Sequence, residues 1–455
     1  MKTIKTPIIP VRPKYIGEED ELDYKAICFF AATNFFLGDS TYFKGFKCLQ
    51  PGMEYEVDNN KIVSGKKWFE WYYNPEDKPF DVVVEEFGEL FDKISEEETK
   101  GRRVILPLSG GLDSRSQATV LQGNKEVLSY SYDFTGGVKE VKIARQVAAA
   151  TGFEFMDFLI PKGYLWPKLE DVARWTDYGV DITSSRQAAV LDKLQGKGDV
   201  MFIGHWGDVL FDNMNVNDGL SDHDLIEVLK KKIVRKGGLN IAKKLWEVWG
   251  LNGNFEKEFD NKLLSLLSDI KIDNNNAKIR AFKSLYWAPR WTSPSLQVFS
   301  NYFPIELPYY DDRMCKFICS VDEKYLAARR IQIEYIKRKS PEVAKVAWQT
   351  YYPYNLYNYH NFDSLRNFVR RGAKKIHRIA TGKKIVERNW ELQFVGQEND
   401  KHLNEWLFEN EKFKTLLPAS VVKEFYEKFR NGYDVYDFHP VTTLLTLSVF
   451  AKHKL

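Results

Sequence analysis

Ser109, Gly110, Gly111, Asp113 and Ser114 fall within six consecutive residues, a set of types and spacings suited to gripping a chain of phosphates. Successive backbone N–H groups in a glycine turn form a concave anion nest, and a helix starting there adds the positive end of its dipole. Gly110 and Gly111 let the backbone approach phosphate with no Cβ in the way. The hydroxyls of Ser109 and Ser114 can donate further hydrogen bonds. No Gly-Lys-Ser/Thr follows, so the loop is not of the Walker type. An aspartate inside an anion nest repels phosphate unless a divalent cation lies between them. Asp113 therefore implies Mg²⁺, shared between one or two carboxylates and substrate oxygens.

Such a loop needs a strand to deliver it and a helix to leave it. Arg103 to Leu108 reads as a buried strand, and the helix runs on through Ser116, Ala118, Val120 and Leu121. Further strands are expected at Val127 to Tyr132, Phe153 to Ile160 and Asp199 to Gly204, with a helix over Glu140 to Thr151. This alternation predicts an α/β fold with a doubly wound, mostly parallel sheet, whose ligand crevice lies at the carboxyl ends of the strands. Asp208 follows its strand much as Asp113 follows its own, so both can reach one crevice and share Mg²⁺. Ahead of this lies a small α+β segment, 1–80, with a helix near Ala26 to Phe36. Leu49 to Val57 reads there as a turn feeding a strand, which pairs with a second strand, Lys61–Val63, across Asp58-Asn59-Asn60. Val83, Val84, Phe87, Leu90, Phe91 and Ile94 recur at helical spacing. Leu165 to Leu194 reads as helical, and Ser221 to Arg338 as amphipathic helices broken at Ile272–Asn276. Residues 81–455 thus read as the main domain, helical toward its C-terminal end.

The totals exclude several function classes. With 455 residues, 44% of them hydrophobic, the chain can bury a sizeable core. A net charge of +3 is too small to make nucleic acid the main partner. No run approaches the roughly 20 apolar residues of a membrane helix, and Val441 to Ala451 reads as a core helix. Cys28, Cys48, Cys315 and Cys319 lack Cys-x-x-Cys spacing, which indicates neither zinc nor a disulfide framework. No signal-like segment opens the chain, so the expectation is a cytoplasmic protein. Between Arg366 and Arg388 stand nine Lys/Arg against the single acid Glu387. Residues 365–388 are a candidate for peripheral membrane contact, with a solvated helix face favoured over it.

Ser-Gly-Gly-Leu-Asp-Ser (109–114) resembles the pyrophosphate loop of ATP pyrophosphatases. It is followed by Gly204-His205-Trp206-Gly207-Asp208-Val209-Leu210-Phe211 and then by Leu307-Pro308-Tyr309-Tyr310-Asp311-Asp312-Arg313. In that order the three blocks resemble the synthetase domain of the asparagine synthetase family, whose second and third blocks are Ser-Gly-Glu-Gly-Ala-Asp-Glu-Leu-Phe and Pro-Phe-Leu-Asp-His-Arg. The resemblance spans about Phe29 to Gln349. It implies an ATP pyrophosphatase-type, adenine nucleotide α-hydrolase-like fold that uses ATP and Mg²⁺. Nucleotide-binding candidates are then Leu108, Ser109, Gly110, Gly111, Leu112, Asp113, Ser114, Tyr132 and Gly204, with Asp113 and Asp208 on the metal.

The implied reaction is adenylation of a small-molecule carboxylate, with release of pyrophosphate, and then attack by ammonia or an amine. His205 replaces the family's glutamate and is a candidate base, or else a structural histidine at a strand end. Asp311 falls on the family's third-block acid; either it or Asp312 orients the amine, or the acid only pairs with Arg313. The family's catalytic lysine aligns near Gln349, leaving Lys345 as the nearby candidate. Arg115 either steadies phosphate or is an exposed helix residue. The family's glutaminase uses an N-terminal cysteine, whereas residue 2 is Lys2. Residues 1–80 are therefore expected to be a non-catalytic remnant, with ammonia free or from a separate glutaminase. Two alternatives stand beside the ligase: a non-catalytic nucleotide-binding partner subunit, and a tRNA-thiolation-type pyrophosphatase.

Overall fold

The computed structural model describes residues 1–137, 140–363 and 389–455, and the basic stretch 365–388 lies outside the described residues. The described residues form ten strands: β1 Lys2–Lys5, β2 Tyr15–Gly17, β3 Phe46–Cys48, β4 Met53–Asp58, β5 Lys61–Lys67, β6 Val104–Pro107, β7 Val127–Phe134, β8 Glu154–Ile160, β9 Val200–Phe202 and β10 Ile305–Glu306. The five later strands make one parallel sheet in the order β10-β9-β6-β7-β8. Val104, Ile105 and Leu106 on β6 and Val200, Met201 and Phe202 on β9 are all buried, as a central parallel strand covered on both faces requires.

Helices Leu112–Val120 and Val141–Thr151 carry the chain from β6 to β7 and from β7 to β8. Those two strands lie on one side of β6, whereas β9 and β10 lie on the other. The winding reverses between β6 and β9, and a parallel sheet opens its ligand crevice at such a point.

The N-terminal segment adds the antiparallel sheet β1-β4-β5 and the ribbon β2-β3. The β4–β5 hairpin turns through Asn59 and Asn60, both in the left-handed conformation that asparagine tolerates. Helix Tyr24–Thr33 starts at Asp23, whose carboxylate accepts the Ala26 N–H at 2.9 Å. It is buried in the main core against helix Gly238–Val248. The two helices approach so closely that a Cβ on Gly238 would stand 2.4 Å from the Ala32 carbonyl oxygen.

Two stretches depart from the periodicity reading. Leu165 to Leu194 is not one helix: only Leu169–Trp175 is α-helical, followed by three short 3₁₀ turns. Asp181 takes the Thr183 N–H at 2.8 Å and its hydroxyl at 2.6 Å, a local bond that competes with helix continuation. Lys283–Thr292 is a π-helix containing Pro289, a wide form often found at functional sites. Among the described residues, no helix is long and apolar enough to cross a membrane, and helix Val435–Lys454 is packed in the core.

Helix Phe80–Thr99 buries Val83, Phe87, Phe91 and Ile94 and ends beside β10. In its last turn one carboxyl oxygen of Glu98 is buried without a hydrogen-bond partner among the described residues. Burial pushes its pKa from the ordinary 4.5 up to about 9, and Glu306 and Asp311 add to the effect. Between those values the folded chain keeps a proton that the unfolded chain has released, so stability falls as pH rises from 4.5 through 9. Glu98→Gln should therefore raise stability at pH 8 by on the order of 2 kcal/mol and flatten its pH dependence. Chemical denaturation at pH 5 and pH 8 checks this, and a variant no more stable at pH 8 refutes it.

Candidate active site

The phosphate loop leaves β6 at Pro107, and the Leu108 N–H donates to the Tyr130 carbonyl at 2.8 Å. The two serine hydroxyls are turned inward. Ser114 Oγ accepts the Ser109 N–H at 3.0 Å and lies 2.9 Å from Ser109 Oγ, which accepts the Gly111 N–H at 3.2 Å. These hydroxyls brace the turn, where the sequence suggested donors to phosphate. What remains open is the start of helix Leu112–Val120: Gly111 caps it with no side-chain hydrogen bond. Its first-turn N–H groups thus keep their capacity for an anion.

Gly110 serves a different neighbour. Its carbonyl accepts the Gln349 N–H at 3.2 Å, and a Cβ there would stand 2.6 Å from Gln349 Cβ. Arg115, fully buried, clamps the same junction by donating to the carbonyls of Val346 (2.9 Å), Ala347 (2.8 Å) and Gly110 (3.4 Å). It is neither an exposed helix residue nor a phosphate ligand, and burial draws its pKa down to about 10.

A cavity of ≈ 400 Å³ opens at the ends of β6, β7 and β9. The first loop contributes Leu108, Ser109, Gly111, Leu112, Asp113 and Ser114 to it. Tyr132 enters from the end of β7, and Gly204, His205 and Asp208 from the segment after β9. Of the candidates for nucleotide and metal, only Gly110 faces away. The two loops interlock tightly. A Cβ on Gly207 would stand 2.2 Å from Asp113 Oδ1, and one on Gly204 would stand 3.0 Å from the Asp113 carbonyl carbon. Between them Trp206 takes a left-handed backbone (φ 82°), a strained form for a bulky residue. Its indole N–H donates to Ser284 Oγ at 3.2 Å.

Asp113 is largely buried and ion-paired to Arg329, and it accepts Gln332 Nε2–H at 3.1 Å. Burial raises the Asp113 pKa, Arg329 opposes that, and the Asp208 carboxylate raises it further. Gln332 Nε2 also donates to Tyr309 Oη at 2.7 Å, so the third block reaches the site through Tyr309. Among the described residues no three His, Cys, Asp or Glu side chains cluster as a metal cage. Two carboxylates beside an uncapped helix start nevertheless fit Mg²⁺, which takes one or two carboxylates and completes its shell with phosphate oxygens and water.

Residues 89–293 match the asparagine synthase family model, a span running from helix Phe80–Thr99 through both loops to the end of the π-helix. They form an asparagine synthase domain. No curated protein matches the chain. A domain of this type is adenine nucleotide hydrolase-like, implies an ATP-pyrophosphatase or amidotransferase-like activity, and generally uses ATP and Mg²⁺.

Two residues proposed for catalysis lie elsewhere. Asp311 caps helix Asp312–Ile318 and pairs with Arg313 at 2.8 Å. Lys345 is exposed and pairs with Glu342. Neither lines the cavity of the asparagine synthase domain. The aromatic run after Gln349 packs on itself, with Tyr351 against Trp348, Tyr359 and Phe362. The lysine close to the site is Lys283, unflagged in the sequence because it sits inside an apolar helical stretch. It lies over the rings of Trp206 (5.7 Å) and Trp287 (4.8 Å). Burial pulls its pKa down to about 8, with Asp208 opposing.

A second cavity of ≈ 310 Å³ adjoins the first, and Tyr132, Arg186, Gln187 and His205 line both. Arg186 Nε donates to Tyr132 Oη at 2.8 Å. Farther in, the Arg235 guanidinium lies 5.4 Å over the Trp291 ring. Ser185 Oγ and Trp291 Nε1, both on residues lining this cavity, have no hydrogen-bond partner among the described residues. His205 is exposed where the two cavities meet, with protein packed around the rest of the ring. That crowding pushes its pKa down to about 4, with Asp208 opposing and Arg186 assisting, so at neutral pH the imidazole is uncharged.

Proposed function

We propose that the protein is an ATP-dependent, AMP-forming amide synthetase that activates a carboxylic acid and joins it to ammonia or an amine. The supporting observation is the pair of adjoining cavities. The first carries the phosphate loop and two aspartates, the second carries two guanidiniums, and His205 stands between them. Nucleotide would occupy the first, with its phosphates at the start of helix Leu112–Val120. The acid would occupy the second, its carboxylate drawn by Arg186 toward the α-phosphorus. Aspartate is one acceptor of this class, and a sugar acid or a peptide carboxylate is another.

The acid's oxygen attacks the α-phosphorus, the bond to the β-phosphate breaks, and pyrophosphate leaves. Magnesium held by Asp113 and Asp208 would offset charge on the phosphates. The uncapped amides and Arg329 face the same leaving charge. The amine nitrogen then attacks the acyl carbon, AMP departs, and neutral His205 takes the amine proton.

Neither N-terminal cysteine is suited to glutamine hydrolysis. Cys28 and Cys48 are buried, and burial pushes both thiols up, so neither offers a thiolate nucleophile. Residues 1–80 are read as a non-catalytic segment ahead of the synthetase part, 81–455, with ammonia free or from a separate glutaminase. The test is a screen of candidate acids with ATP, Mg²⁺ and ammonium, following AMP and pyrophosphate. Acid-dependent AMP release is expected. Nucleotide binding with no AMP from any acid would favour a partner subunit, and sulfur transfer to tRNA would favour thiolation.

A further inference from the structure

We propose that Arg329 is an exchangeable counter-ion of the aspartate pair. It holds Asp113 until a divalent cation arrives with nucleotide, then turns to the phosphates. The inference rests on the nucleotide-site reading above and adds an order of events to it.

Arg329 lines the nucleotide cavity and is ion-paired to Asp113, and the Asp208 carboxylate in the same cavity helps hold the guanidinium charged. It therefore pairs with one of the two carboxylates that suit Mg²⁺ and stands in the field of the other. A guanidinium and a divalent cation repel one another at such range, and in a recessed site that repulsion is only weakly screened. One of them must give way.

The backbone places Arg329 there under strain. Ala328 (φ 57°, ψ 24°) and Arg329 (φ 61°, ψ 32°) are consecutive non-glycine residues in the left-handed region. The kink is pinned where Asp212 Oδ1 accepts the Ala328 N–H at 3.1 Å, and Arg329 Nε donates to Gln332 Oε1 at 2.8 Å. Strain of this kind persists only where surrounding contacts enforce it, and it gathers at functional sites. Gln332 Nε2 stays on Asp113 when the guanidinium leaves, so the carboxylate keeps one donor and its orientation. Only the side chain has to swing, because the phosphates and Asp113 share one cavity.

Without nucleotide, the cation must displace an ion pair with nothing to receive the arginine. With nucleotide, the phosphates accept the guanidinium and the cation takes the aspartates. The metal then enters as the companion of the nucleotide.

The test is direct Mn²⁺ binding to nucleotide-free protein by calorimetry, with no reaction required. Arg329→Gln is expected to bind Mn²⁺ at least about 10-fold more tightly than the unaltered protein, equivalent to about 1.4 kcal/mol. Adding Asp113→Asn should abolish the gain. Arg329→Lys, which keeps the charge but loses the fork, should tighten binding by about 3-fold, roughly 0.6 kcal/mol. It carries the test if Arg329→Gln does not fold. Folded variants that bind Mn²⁺ no more tightly than the unaltered protein overturn the proposal. Mn²⁺–ATP binding to the unaltered protein, measured alongside, reports on the nucleotide site itself. Its absence overturns the function proposed above, whereas its presence with Arg329-independent Mn²⁺ binding overturns only the exchange.

Discussion

Asp208→Asn should lower acid-dependent AMP formation by about 10³-fold while leaving the thermal midpoint where it was. Asp208 sits in the first turn of the short helix Gly207–Leu210, and its side chain is exposed to the cavity. Packing therefore gains little from it, and the amide is the same size. What the substitution removes is charge. Arg186 and Arg329 face the same cavity, and Lys283 lies close by. Losing one of the cavity's three carboxylates, Asp113, Glu140 and Asp208, shifts its charge toward those cations and deprives Mg²⁺ of a ligand. Each tenfold loss is about 1.4 kcal/mol of barrier, so 10³ asks about 4 kcal/mol of one ligand in a recessed site. Asp113 is a poorer probe because it also anchors Arg329 and Gln332, and its removal would mix catalysis with stability. A variant that keeps more than a tenth of the rate at saturating Mg²⁺ would show that Asp208 is no metal ligand.

Local pattern made the first half of this site legible. The strand, glycine turn and helix at 104–120 lie where their spacing puts them. A second aspartate, Asp208, placed after the neighbouring strand β9, reaches the same crevice because parallel strands end on one side. Legibility stops where a contact has no local signature. Arg329 meets Asp113 across 216 residues, and Gln349 closes on Gly110 from a segment at least as remote in the chain. Nothing in the spacing of Lys345 shows that it points to solvent, because the helix ending there, Pro341–Lys345, is one turn long. The wall of the second cavity was the hardest part to read. Its residues come from the end of β7, 3₁₀ turns, loops, the π-helix and the helices Ser293–Ser300 and Val435–Lys454, and no single period in the sequence marks so scattered a set as one wall. Ser114 shows the converse limit. Its residue type was informative, but whether the hydroxyl serves phosphate or the turn is decided by rotamer and neighbours.

His205→Ala should reduce amide formation by about 10²- to 10³-fold at saturating amine, and the pH profile should separate a base from a space-filling residue. The imidazole stands at the junction of the two cavities, with its pKa pushed down to about 4. A depressed pKa means that the ring is already neutral, and able to accept a proton, throughout pH 5.5 to 8. The rate of the unaltered protein should then show no limb near 6.5, where an ordinary histidine titrates, and the loss in His205→Ala should be constant across that range. Ammonia, whose unprotonated form grows with pH, supplies the rising limb in both proteins. If His205 only shapes the pocket, His205→Gln should restore the rate, because it fills a similar volume with a group that cannot take up the proton. If His205 is the base, Gln leaves the defect in place while adenylation, read as acid-dependent pyrophosphate exchange into ATP, continues. A limb near 6.5 that disappears in His205→Ala would show that the cleft does not depress the imidazole. Rescue by Gln would remove His205 from the proton transfer and leave Lys283, with its pKa near 8 beside Asp208, as the next group to test.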